Sequence, residues 1–104
     1  MSENYLGCTI PKLGFGLMRL PQKDGIIDVE QVKKMADHFM AKGFTYFDTA
    51  YVYGGGASEL AAKEAIVSRF PRESFQLADK LPVIDIKKEE DMEAFVQTSL
   101  ERTG

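Results

Sequence analysis

Apolar residues recur along this chain in two rhythms. After Asp28, the positions Val29, Val32, Ala36, Phe39 and Met40 fall three and four apart, as on one face of a helix. Asp28 suits the N-cap of that helix, Gln31 stands three residues on to complete a capping box, and Gly43 suits its end. The run Phe44-Thr45-Tyr46-Phe47-Asp48 crowds aromatics and a β-branched residue into a length too short for a helix, which predicts a buried strand. Gly54, Gly55 and Gly56 mark a loop after it. A second helix is predicted from about Ala57 to Phe70, burying Leu60, Ala61, Ala65 and Ile66 and stopped by Pro71. Residues 75–81 read as a further strand, closed by Pro82. The acids Glu89, Glu90 and Asp91 then suit a positive helix N-terminus. Met92, Phe95, Val96, Ser99 and Leu100 keep helical spacing toward a C′ glycine, Gly104.

The N-terminal stretch is less regular. Residues 4–12, with Gly7 among Tyr5, Leu6, Cys8, Thr9 and Ile10, read as a small hairpin. Leu13 to Leu20 is an apolar run broken by Gly14 and Gly16, which mark either a close approach to the backbone or, more simply, a bend or bulge. Residues 21–25 read as a loop. The order strand, helix, strand, helix, strand, helix implies an α/β fold of parallel strands with crossover helices. Three such strands leave both sheet edges open and cannot fill a barrel, so the 104 residues are expected to be the N-terminal part of something longer.

Composition narrows the function classes. The chain is 44% hydrophobic and 28% charged, with a net charge of -3 and both signs interspersed, which argues against a nucleic-acid or anionic membrane surface. Cys8 is the only cysteine, so no intrachain disulfide and no cysteine metal cage is expected. No apolar run approaches the roughly 18 residues of a membrane span. The N-terminus, with Glu3, Asn4 and Pro11, lacks the pattern of a signal peptide. A soluble cytoplasmic protein is the expectation.

The chemistry gathers at two strand ends. Alternation puts Phe44, Tyr46 and Asp48 on one face of their strand, and Gln76, Ala78 and Lys80 on one face of the next. Neighbouring strands lie about 4.8 Å apart, so Asp48 and Lys80 would meet at the C-terminal ends, where catalytic groups of βα proteins collect. Tyr53, on the loop leaving Asp48, would hang over them. An ammonium beside a phenol favours the phenolate, and a carboxylate keeps the ammonium charged and oriented. Asp48, Lys80 and Tyr53 together would make a tunable proton donor for an oxygen that becomes an alkoxide. His38 lies about half a turn off the apolar stripe of its helix and reads as a surface residue.

At this point the sequence resembles the aldo-keto reductases. The residues that carry the resemblance are Gly43 to Asp48 followed by Thr49-Ala50, Tyr53-Gly54, Ser58-Glu59 and a lysine, Lys80, at a strand end. The Leu13 to Met18 run resembles that family's first barrel strand, residues 4–12 its N-terminal hairpin, and Thr98 to Gly104 the end of its third helix. The resemblance implies a short hairpin followed by the first three βα units of a TIM (β/α)8 barrel, ending before the fourth strand. It implies that Tyr53 protonates a carbonyl oxygen as hydride arrives from NADPH, tuned by Lys80, which Asp48 holds. It places the cofactor across the C-terminal mouth, near Asp48 and the backbone of Gly16, Leu17 and Met18. The first strand and the triple glycine are similar to bacterial members that append an iron–sulfur domain. The family's active-site histidine and its adenosine-phosphate residues would lie beyond Gly104, and His38 cannot replace the histidine.

Two rivals stand beside this reading. Gly54-Gly55-Gly56 between a strand and a helix suggests a phosphate cradle, but Glu59 occupies the third glycine's place in G-x-G-x-x-G, and a carboxylate there repels pyrophosphate. A barrel of this family serving as a regulatory or binding subunit is compatible with the same residues. The chain by itself is expected to be inactive, with its open strands prone to self-association.

Overall fold

The structure is a computed structural model that describes residue 11 and residues 13–104; the hairpin expected over residues 4–12 lies, apart from Pro11, outside them. In chain order the elements are β1 (Gly14–Gly16), β2 (Gln22–Lys23), β3 (Ile26–Ile27), α1 (Val29–Ala41), β4 (Tyr46–Asp48), α2 (Ala57–Ala62), β5 (Gln76–Ala78) and α3 (Glu89–Thr103). Strands β1, β4 and β5 form one parallel sheet in that order. Gly14, Phe15 and Gly16 stand opposite Tyr46, Phe47 and Asp48, which stand opposite Gln76, Leu77 and Ala78. The alternation of strand side chains then divides the sheet. Phe15, Phe47 and Leu77 share the face that packs on the helices, while Gly14, Gly16, Tyr46, Asp48, Gln76 and Ala78 share the other.

The helix-side face is the core. Phe39 from α1 lies edge-on to Phe15 and Phe47 at 5.3 and 5.2 Å and stacks on Phe44 at 5.3 Å. Val32, Ala36, Ala61, Ala62, Ala65, Ile66 and Phe75 complete the cluster. The described residues extend 43 × 41 × 21 Å, one sheet and one helix layer deep, and among them β1 and β5 each pair on one side only. No helix of the described residues is long and apolar enough to cross a membrane.

Helix α1 starts and stops as its sequence dictates. Asp28 Oδ1 accepts from the Gln31 N–H at 3.3 Å, and Gly43 follows the helix at φ +93°. The reciprocal half of the expected capping box is replaced, because the Asp28 N–H donates to the Pro21 carbonyl at 2.8 Å. At the start of α3, Asp91 Oδ2 accepts from the N–H groups of Lys87 and Lys88 at 2.9 and 3.2 Å.

Four expectations are corrected. Residues 21–25, read as a loop, contribute to a hairpin: β2 and β3 pair antiparallel through Asp24 (φ +55°) and Gly25 (φ +79°), the two left-handed residues of a tight hairpin turn. Gly14 and Gly16 make neither bend nor bulge, since β1 pairs in continuous register with β4. A side chain at Gly14 would meet the Tyr46 ring at 3.3 Å, whereas nothing lies within 4 Å of the position at Gly16. The second helix is α-helical only over Ala57–Ala62 and widens to a π turn over Lys63–Val67. Its Leu60 is 54% exposed, because α2 packs against α3, with its π turn against α1, and buries the arc that carries Ser58, Glu59, Ala61 and Ala62. The stripe expected on α3 is also largely exposed at Met92, Val96 and Leu100; the side of α3 against the protein is Phe95, Ser99 and Arg102. Between α3 and β5 a cavity of about 360 Å³ remains, with Leu77, Asp79, Lys80 and Ser99 in its wall.

Phe47 is fully buried at the centre of the aromatic cluster, so Phe47→Ala is expected to cost about 3–5 kcal/mol in urea unfolding. Leu60→Ala, at the exposed position, is expected to change stability by less than about 0.5 kcal/mol. Equal losses at the two positions would contradict the assignment of the buried arc.

Candidate active site

The ends of β4 and β5 bring together the side chains that alternation had placed on one face. Asp48 pairs with Ala78, and Lys80 lies two residues further along the same direction. Lys80 Nζ donates to Asp48 Oδ1 and Oδ2 at 2.9 and 2.8 Å, to the Thr49 carbonyl at 2.9 Å and to the Tyr53 hydroxyl at 3.2 Å. It also lies 4.8 Å from the centre of the Tyr53 ring. Lys80 and Asp48 side chains are 48% and 35% exposed, so the cluster opens to the mouth of the sheet. Burial pushes the Lys80 pKa down, but hydrogen bonds and charge from Asp48 and Tyr53 outweigh it and raise it above the ordinary 10.5. The ammonium therefore stays charged throughout the neutral range.

The loop that carries Tyr53 is tied at several points. Thr49 N–H donates to the Ala78 carbonyl at 2.8 Å, and Tyr51 N–H to the Lys80 carbonyl at 3.0 Å, so the ladder continues past the strands. Buried Thr49 and Ser58 share a hydroxyl hydrogen bond of 2.7 Å, and Ser58 Oγ donates to the Leu17 carbonyl at 2.8 Å. Gly56, at φ +101°, passes so close to Arg102 that a side chain there would stand 2.9 Å from the guanidinium. Gly56 thus admits an arginine, and Gly54 and Gly55 take left-handed φ values of +60° and +66°, so a phosphate is not needed to explain the three glycines.

A second polar cluster lies directly behind the first. Glu59 is completely buried on α2; its Oε1 accepts from Arg102 Nη1 at 3.0 Å, and among the described residues no donor is hydrogen-bonded to Oε2. Arg102 Nη1 also donates to the Tyr51 carbonyl at 3.1 Å, with the guanidinium 4.3 Å above the Tyr51 ring. The carboxyl of Asp79 and the hydroxyl of Ser99 lie beside Glu59. Burial and the neighbouring Glu59 carboxylate push the Asp79 carboxyl up to about 7. Burial alone would raise Glu59, but the neighbouring Asp79, Ser99 and Arg102 side chains and the arginine charge hold it below 4.5.

Of the residues singled out in the sequence, Asp48, Tyr53 and Lys80 meet in one cluster. Gly16 and Met18 stand at the same end of the sheet, Met18 being 56% exposed. The Leu17 side chain is core, its N–H donates to the Asp48 carbonyl at 2.8 Å, and its carbonyl accepts from Ser58. His38 is exposed on α1. Sequence reasoning passed over the Thr49 carbonyl, Asp79 and Arg102, and noted Glu59 only within a motif. The available signal was a glutamate set in the apolar run Leu60-Ala61-Ala62, which needs a partner if that helix is buried. Among the described residues no group of three or more His, Cys, Asp or Glu is placed to hold a metal ion.

Comparison with known proteins gives three findings. The model of the aldo/keto reductase family matches residues 12–104. A probable aldo-keto reductase 1 from soybean (Glycine max) is 36% identical over 85 residues, which cover 74% of this chain and 22% of the plant protein. The crystal structure of a thermostable aldo-keto reductase in complex with the inhibitor epalrestat superposes with a TM-score of 0.73 at 26% identity, over 96% of this chain and 36% of that one. The chain thus spans about a fifth of the length of the curated relative that it matches.

The raised Lys80 pKa has a defined consequence. The stabilisation it brings is complete below the unfolded value of about 10.5 and is lost as pH rises through the folded value. In an NMR titration of the Lys80 side chain, the wild-type midpoint should lie above 10.5, and Asp48→Asn should lower it, because burial then meets less opposition. Identical midpoints in the two proteins would show that Asp48 does not hold the ammonium.

Proposed function

The chain belongs to the aldo/keto reductase family and forms three βα units of a TIM barrel, and on that premise we propose that the whole protein reduces an aldehyde or ketone to an alcohol with NADPH. The observation that carries this reading is the Lys80 ammonium held between the Asp48 carboxylate and the Tyr53 hydroxyl at 2.8 and 3.2 Å. Tyr53 is the proton donor. As a hydride reaches the carbonyl carbon, the Tyr53 O–H bond breaks and its proton forms the new O–H bond of the alcohol. The phenolate left behind lies against a positive charge that is already in place, so no reorganisation is needed when the charge develops. Asp48 and the Thr49 carbonyl fix that charge in position.

The residues present fit a nicotinamide cofactor at the mouth. Among the described residues no atom lies within 4 Å of where a side chain at Gly16 would stand, and Asp48 and Met18 border it partly exposed. When bound there, a reduced nicotinamide supplies the hydride. Gly16, Met18 and Asp48 would line the nicotinamide end, and Leu17, whose backbone groups are engaged, supports the strand beneath it. Residues 1–104 alone are proposed to be inactive, because three strands do not enclose the cluster. The iron–sulfur domain and the bacterial character remain what the resemblance alone suggests; the curated relative is a plant protein.

Tyr53→Phe in the whole protein should lower kcat for carbonyl reduction by about 10²–10⁴-fold while leaving NADPH affinity near wild type, since the hydroxyl acts in the transition state. Lys80→Met should also lower kcat and should alter the pH profile, which Asp48→Asn should do more weakly. Wild-type kcat in Tyr53→Phe on several aldehydes would remove Tyr53 from the reaction.

A further inference from the structure

Lys80 and four residues behind the proposed site form a chain of hydrogen bonds that lacks one link. Asp79 Oδ1 accepts from the Lys80 N–H at 2.8 Å. The Lys80 carbonyl accepts from the Tyr51 N–H at 3.0 Å. The Tyr51 carbonyl accepts from Arg102 Nη1 at 3.1 Å, and the same nitrogen donates to Glu59 Oε1 at 3.0 Å. Glu59 is completely buried, and among the described residues its Oε2 has no donor hydrogen-bonded to it. The side chains beside Glu59 are the Asp79 carboxyl and the Ser99 hydroxyl, which is itself buried without a hydrogen-bond partner among the described residues. Two carboxylates cannot hydrogen-bond each other; a carboxylic acid and a carboxylate can.

We propose that Asp79 is a positioning residue whose carboxylic acid donates to Glu59 Oε2, closing a ring of hydrogen bonds that fixes Lys80 and the loop carrying Tyr53. The ring joins β5, the loop after β4, α2 and α3. It holds Lys80 through both of its backbone groups, one on Asp79 and one on Tyr51, and Tyr51 lies two residues before Tyr53. The charged and polar groups around Asp79 are Glu59 from α2, Lys80 from its own segment, and Ser99 of α3 and Arg72 of the turn before β5 in the wall of the same cavity, with Arg102 paired to Glu59. Glu59, which Arg102 pairs, keeps the negative charge, and Asp79, whose one hydrogen-bond donor among the described residues is the Lys80 N–H, keeps the proton. The raised Asp79 pKa of about 7 has the same direction. A group whose folded pKa is raised stabilises the fold fully below its unfolded value, near 3.8, and that contribution is gone once pH has risen through the folded value. The ring is therefore closed in weak acid and opens near and above neutrality.

The catalytic consequence rests on the reductase reading, but the ring itself is tested without it. In a carbon-13 NMR titration of the wild-type carboxyl groups, Asp79 should titrate far above the ordinary carboxylate range of about 4, and Glu59→Gln should bring it down. An ordinary Asp79 midpoint in the wild-type protein overturns the proposal, whether or not any variant folds. Amide exchange, corrected for its intrinsic pH dependence, gives the second reading. The Lys80 and Tyr51 N–H groups should lose protection as pH rises through about 7 in wild type. They should stay protected in Asp79→Asn, whose amide donates at any pH, and should exchange on the order of tenfold faster in Asp79→Ala. An Asn variant as unprotected as the Ala variant also overturns it. In the reductase assay, Asp79→Ala should lower kcat on the order of tenfold with the carbonyl KM little changed, and Asp79→Asn should restore it. If the titration and exchange results hold and no turnover is found, the ring stands and the reductase reading falls.

Discussion

Lys80 Nζ is a full positive charge at the end of a sheet, and the rest of the molecule is arranged to give it acceptors. Burial opposes the charge, and Asp48, Tyr53 and the Thr49 carbonyl reverse that opposition. Each acceptor comes from the β4 end or the loop after it, so the ammonium requires β4 and β5 to stay in register. A slip of one residue would turn Lys80 to the helix side, where Phe47 and Leu77 leave no acceptor for it. Phe47 of β4 packs edge-on to Phe75, just before β5, so the core supports the register that the chemistry at the mouth needs.

Much of this was legible in the sequence because it rests on period. The spacing of Val29, Val32, Ala36 and Phe39 gives α1, and the alternation of Tyr46, Asp48, Ala78 and Lys80 brings the carboxylate to the ammonium. Both patterns follow from backbone geometry alone. The parallel order of three strands follows from the alternation of strands and helices.

What escaped notice is polar and buried. A hydrophobic stripe places Leu60 inside, yet Ser58 and Glu59 are buried instead because each has a specific partner on another element. No local pattern reveals Arg102 as the partner of Glu59, because the two are 43 positions apart. The β2–β3 hairpin was missed because two-residue strands are too short to show alternation, although Asp24-Gly25 carries the turn chemistry. The exposed stripe of α3 at Met92, Val96 and Leu100 keeps its helical spacing but lies beside a cavity and an edge strand rather than against a filled core.

The central claim is that Lys80 acts on the reaction through Tyr53 and not independently of it. A double-mutant cycle in single-turnover carbonyl reduction by the whole protein tests it most directly. The rates needed are those of wild type, Tyr53→Phe, Lys80→Met and the double variant, each with cofactor and substrate saturating. The account predicts that adding Lys80→Met to Tyr53→Phe slows the reaction little further, because the group that Lys80 tunes is already gone. Losses that multiply in full, with the double variant slower by the product of the two single effects, would contradict it.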